Sequence, residues 1–70
     1  MRLIKEEAGL KLLESDGKFY IEYDAGSHMV KIKRIEISIE EAEMCQYIEN
    51  EMYTTILHYQ NNGIYGENVL

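Results

Sequence analysis

No lysine or arginine follows Arg34 in this chain of 70 residues, which also has no proline, no tryptophan and a single cysteine. Each absence excludes something. Without proline, no residue is bound to break a helix by lacking its N–H. With Cys45 alone, no intrachain disulfide can staple the fold, and with His28 and His58 far apart there is no zinc-ligand spacing. The first residues, Met1 to Glu7, turn acidic after Ile4 and lack the apolar stretch of a signal peptide, and no run approaches the roughly 18 apolar residues of a membrane span. A cytoplasmic protein with no membrane contact is therefore expected. Low-complexity tracts, internal repeats and linkers are missing too, and with 46% hydrophobic residues the chain should fold throughout as one domain.

The missing bases shape the charge. Seven Lys and Arg residues precede Ser38 and meet seven acids there (Glu6, Glu7, Glu14, Asp16, Glu22, Asp24 and Glu36). From Ser38 onward come Glu40, Glu41, Glu43, Glu49, Glu51 and Glu67 with no base, so the second half carries the whole formal charge of -6. Such a lopsided field attracts basic partners and repels nucleic acid.

What is present points to an α+β fold. Asp16-Gly17 between two alternating segments is a two-residue hairpin signal, because a type I′ turn needs positive φ at both central positions. Ser15 then faces Lys18, Leu13 faces Tyr20, Leu12 faces Ile21, Lys11 faces Glu22 and Leu10 faces Tyr23. Reading Ala25-Gly26-Ser27-His28 as a four-residue loop puts Asp24 opposite Met29, Tyr23 opposite Val30 and Ile21 opposite Ile32. It also builds a charge ladder of Lys11, Glu22 and Lys31. The apolar parity then changes between Val30/Ile32 and Ile35/Ile37, which predicts a β-bulge near Lys33-Arg34. Gly9 is expected to bend an N-terminal extension whose Leu3 and Ile4 pack at the sheet edge. The string Gly26-Ser27-His28-Met29 resembles an expression-tag remnant, but the strand continuing through Met29 favours a native segment.

Ser38 and Glu41 have the S-x-x-E form of a capping box, and a helix can run from there without Pro or Gly to a left-handed cap at Gly63. Ala42, Cys45, Ile48, Met52, Ile56 and Tyr59 form one stripe at 100° per residue. The expected architecture is a three-stranded antiparallel meander followed by one long amphipathic helix packed on one face (βββα): sheet region 1–37, helix 38–62, tail 63–70. About 24 helical residues span roughly 36 Å against roughly 20 Å for strands of six, so the helix should overhang the sheet. Ile56, Leu57, Tyr59, Ile64 and Tyr65 would then self-associate, and a homodimer is expected, since small cores are often completed by association.

Opposite the core stripe lie Glu40, Glu43, Tyr47, Asn50, Glu51 and Thr54, with His58 beyond them. No Lys or Arg at i+3 or i+4 neutralises the acids, and Tyr is enriched at interfaces. This face is the candidate partner-binding surface, directed at a basic protein surface. Lys33 and Arg34, with Tyr20, are the remaining charges that a sheet-face nucleic-acid binder would use, but the acids around them make a poor counterion-release footprint. Ser27 and His28 near Asp24 lack the geometry of a nucleophilic triad within one exposed loop. Glu40, Glu43 and His58 lack metal-ligand spacing. Cys45 sits in the apolar stripe with no histidine to activate it. No catalytic site, cofactor or metal is expected. The expected function is a small protein-binding module that blocks a basic surface, in the physical manner of immunity proteins and phage-encoded inhibitors. The alternatives are a homo-oligomeric assembly protein or, further off, a nucleic-acid binder.

Overall fold

The computed structural model describes residues 1–69; Leu70, the end of the expected tail, lies outside the described residues. Five antiparallel strands form one sheet in the order β1-β2-β3-β4-β5: β1 (Arg2–Glu7), β2 (Leu10–Ser15), β3 (Lys18–Asp24), β4 (Ile32–Ile37) and β5 (Glu67–Asn68). Helices α1 (Ile39–Tyr47) and α2 (Glu51–Asn61) lie between β4 and β5 in sequence and cover one face. The α+β class and the antiparallel sheet are as read from the sequence. Strand and helix numbers differ from the expected three and one, because the chain adds β1 and β5 as strands and divides the helix in two.

The β2–β3 hairpin has the expected register, with Ser15↔Lys18, Leu13↔Tyr20, Leu12↔Ile21 and Lys11↔Glu22. Its turn residues Asp16 and Gly17 both have positive φ, as a type I′ turn demands. A second turn of the same hand, Ala8-Gly9, makes the N-terminal segment a full strand rather than a bent extension. Ala8 disguised it, since alanine seldom adopts φ near +52°.

The β3–β4 register differs from the expected one by three residues. Asp24 pairs with Ile32, not Met29; Glu22 pairs with Arg34, Ile21 with Ile35 and Phe19 with Ile37. An odd slip flips faces, so Ile35 and Ile37 enter the core in a continuous ladder and no bulge occurs at Lys33-Arg34. Val30 and Met29, expected in the strand, lie in the exposed loop Ala25–Lys31, with Met29 80% exposed. Asp24 closes that loop by accepting from the N–H groups of Lys31 and Gly26, both at 2.9 Å. Those two bonds hold its carboxyl below the usual carboxylate range. An Asx-type closure of this kind outweighs the apolar pull of Val30, which is left 66% exposed.

The expected charge ladder survives with Arg34 in place of Lys31 and extends over all five strands as Glu6, Lys11, Glu22, Arg34 and Glu67. Among the described residues the one register shift lies in β1, between Leu3 and Lys5.

Ser38 and Glu41 form the capping box in full, with Ser38 Oγ accepting from Glu41 N–H at 3.0 Å and Glu41 Oε1 from Ser38 N–H at 2.8 Å. The helix expected over 38–62 is interrupted: Ile48 is extended and Asn50 is left-handed at φ 64°. Turning the chain there lays α2 back over the sheet, so the overhang does not exist. Met52, Thr55 and Ile56 are buried with Leu12, Ile21, Tyr23, Ile35, Ile37, Ala42 and Cys45, whereas Ile48, expected in the core stripe, is 47% exposed at the break. At the far end Gly63 N–H bonds Gln60 O and Ile64 N–H bonds Tyr59 O, a Schellman motif. The tail then returns as β5. Gly66, at φ 87°, lets it approach β4 where any Cβ would stand 2.6 Å from Arg34 O.

Candidate functional site

The six residues expected to bind a partner do not share one continuous face, because the break divides them. Glu40, Glu43 and Tyr47 are exposed on α1 at spacings of three and four, which places them on one side of the helix. Asn50 is the left-handed joint, and its carbonyl accepts from Thr54 N–H and Thr54 Oγ1. Glu51 is half-buried in the first turn of α2.

The flank of α1 is therefore the coherent part. Tyr47 is 76% exposed there, and Ile39, at the other end of α1, is also exposed. With Phe19 of β3, Ala42, Glu43 and Gln46, these two side chains line a shallow groove of 330 Å³. Phe19, Ile39 and Ala42 give it apolar walls, and Gln46 and Glu43 polar ones. Phe19 and Ile39 belong to this groove but were not singled out from the sequence. The parity that puts Phe19 on the helix-covered face was legible, but not that α1 leaves its ring half covered.

The electrostatics sharpen the contrast between the two halves. Among the described residues three ion pairs form: Arg2–Glu14 at 3.1 Å, Lys5–Glu7 at 4.0 Å and Arg34–Glu22 at 2.6 Å. All lie on strands, and none involves a helix carboxylate. Arg34, expected to be free, is thus paired with Glu22 and stands over the Tyr20 ring at 5.9 Å. A nucleic-acid footprint on the sheet loses its main cation by this pairing, and Lys31 lies in the exposed loop instead of on the ladder.

The five residues expected to self-associate are scattered. Ile56 is 5% exposed and packed in the chain's own core, a correction that follows from the break. Tyr59 is half-buried, and its hydroxyl donates to Glu41 Oε1 at 2.6 Å. Burial, then that carboxylate, push the tyrosine pKa up to about 12. Leu57, Ile64 and Tyr65 are exposed. Leu57 borders a groove of 430 Å³ with Leu10, Tyr23 and Tyr53, while the Tyr65 carbonyl accepts from Tyr23 Oη at 2.7 Å.

Cys45 is fully buried, with its Sγ 3.6 Å from Thr55 Oγ1, and burial raises its thiol pKa. Among the described residues no three potential ligands come together as a metal site, and no helix is long and apolar enough to cross a membrane. His28 sits in the Ala25–Lys31 loop, which borders an open groove and brings up no base with an oriented partner. No protein-family model, curated protein or solved structure matches the chain, so the reading of this surface rests on its own geometry.

Proposed function

We propose that this chain is a non-enzymatic binding module whose α1 flank occupies a basic surface of another protein. The observation that carries the reading is the set of exposed, unpaired carboxylates Glu40 and Glu43 on the same helix as a Tyr47 that is 76% exposed, in a stretch of sequence without a lysine or arginine. A tyrosine held open to water gains little from folding, yet it supplies a rigid anchor at low entropy cost when an interface covers it. The groove lined by Phe19 and Ile39 would take an apolar side chain of the partner, while Glu43 on its rim and Glu40 one turn earlier on α1 would face Lys or Arg. Charge of this kind steers encounter and selects partners more than it adds affinity. A small acidic chain blocking a basic site acts as a stoichiometric inhibitor or immunity-type protein.

The test is a nuclease-treated pull-down with the wild type and with Glu40→Lys combined with Glu43→Lys, followed by affinity measurement on the recovered partner. Expected is a stoichiometric protein with a basic surface, lost in the double variant and weakened at least tenfold by Tyr47→Ala. A complex that binds both variants as tightly as the wild type would sink the assignment of this face.

A further inference from the structure

Residues 39–61 contain no proline or glycine, and their local preference is one continuous helix. The fold interrupts that helix at Ile48–Asn50, with Asn50 left-handed and without a side-chain cap. A break inside a helix strands the last carbonyls of one segment and the first N–H groups of the next. Two side chains of β1 attend to both ends. Lys5 Nζ donates to Cys45 O at 2.9 Å and Gln46 O at 3.4 Å, and Glu7 Oε1 accepts from Asn50 N–H at 3.2 Å. The ammonium thus sits at the negative end of the α1 dipole, the carboxylate at the positive end of the α2 dipole, and the two are 4.0 Å apart. The register shift between Leu3 and Lys5 sets Lys5 opposite Leu12 and Glu7 opposite Leu10, on the helix-covered side of the sheet.

Local sequence and tertiary fold therefore disagree at one joint, and Lys5 and Glu7 bridge its two ends. If the joint straightened, Ile39 through Asn61 would form a rod of roughly 35 Å. The whole molecule measures only 31 Å in its longest dimension, so such a rod would project past the sheet, and α2, which reaches its present place only by the turn at Ile48–Asn50, would leave it. Met52 and Ile56, both in the core, would need an identical cavity elsewhere, and only a second copy of the chain has one. Every contact of α2, including Thr55 with Cys45, Tyr59 with Glu41 and Gln60 with Tyr23, can be remade between two chains. Exchanges of this kind conserve nearly all native contacts and change little but the hinge.

We propose that Ile48–Asn50 is the hinge of a domain exchange, in which α1 and α2 fuse into one helix, α2 and β5 dock on a second copy, and Lys5 with Glu7 latches the closed monomer. The exchanged form aligns Glu40, Glu43, Tyr47, Glu51 and Thr54 along one uninterrupted helix face, so monomer and dimer present different acidic surfaces.

The buried contact between Cys45 and Thr55 supplies the test. In Thr55→Cys, oxidation closes an intrachain bond in the monomer and an interchain bond in the exchanged dimer. The variant is refolded at high protein concentration, oxidised and run on a non-reducing gel, alone and combined with Lys5→Ala/Glu7→Ala, Asn50→Gly or Asn50→Ala. Expected are a covalent dimer, a several-fold larger share of it in the latch-free and Asn50→Ala forms, a smaller share in Asn50→Gly, and a gain in helical circular dichroism with each increase. Should the latch-free form fail to fold, the Asn50→Ala and Asn50→Gly pair decides, since both keep the latch. Intrachain-linked monomer at every concentration, equal dimer shares in that pair, or a dimer that persists after adding Cys45→Ala would overturn the proposal.

Discussion

Tyr59 and Glu41 join the C-terminal turn of α2 to the N-terminal turn of α1, and their titration makes the contact measurable. For Glu41, burial works against the charged form, but the bonds from Ser38 N–H and Tyr59 Oη outweigh it and hold the pKa below 4.5. A depressed folded pKa contributes stability that is present above the unfolded value and lost as pH falls through the folded one. The stability difference between wild type and Glu41→Gln should therefore be constant near neutrality and shrink as pH drops below 4.5. Tyr59 behaves in the opposite sense. Its pKa is raised from 10.0 to about 12, so the neutral form favours folding below pH 10 and that contribution disappears between 10 and 12. Urea titrations of wild type and Tyr59→Phe across both ranges check this; curves that stay parallel at both ends would mean the contact does not form. At the same scale, Met52 is fully buried between helix and sheet. Met52→Ala should cost about 2 to 5 kcal/mol, which for so small a domain approaches its whole stability.

Among the elements, β5 is the least expected and the most easily tested. Two residues pair with β4, and the chain reaches them only because Gly66 has no Cβ and a φ of 87°. Gly66→Ala meets both obstacles at once and should destabilise by about 1 to 3 kcal/mol. Hydrogen exchange at Val69, whose N–H bonds Ile32 O at 3.0 Å, should accelerate in step; unchanged protection there would show that β5 does not depend on the glycine. What the sequence could disclose about elements followed from how local each signal was. The hairpin at Asp16-Gly17 and the cap at Ser38 are written in adjacent residues and were legible. The β3–β4 register depended on which of two apolar pairs entered the core, and the sequence offered Val30/Ile32 as convincingly as Ile35/Ile37. A cross-strand NOE between Ile21 and Ile35, and none between Ile21 and Ile32, distinguishes the two registers. The helix break was illegible for another reason: its caps, Lys5 and Glu7, lie more than forty residues away in sequence. The mismatch between a long helix and short strands was the one available hint, and it fits a fold-back as well as the overhang read from it. The candidate surface inherited the same fault, so Glu40, Glu43 and Tyr47 stay together while Asn50 and Glu51 turn away.

Across the whole molecule, the segregation of charge that suggests a binding surface also acts against folding. Glu40 gains from the α1 N-terminus, but Glu43 lies a turn further on, one helical step from Glu40, with no base among the described residues to pair with it. Like charges at that spacing cost a few tenths of a kcal/mol, and a base in the same position gains a similar amount. Glu43→Lys should therefore stabilise the monomer by about 0.5 to 1 kcal/mol, a rise in Tm of about 2 to 8 °C for a domain of this size. Screening by 1 M salt should remove most of that rise, because the Debye length falls to about 3 Å. The same substitution is expected to weaken the proposed complex, in which case stability and binding move in opposite directions. If Glu43→Lys instead lowers Tm at low salt, the carboxylate has a stabilising contact within the chain. In that case the acidic flank of α1 is part of the fold's own architecture and is not held open for a basic partner.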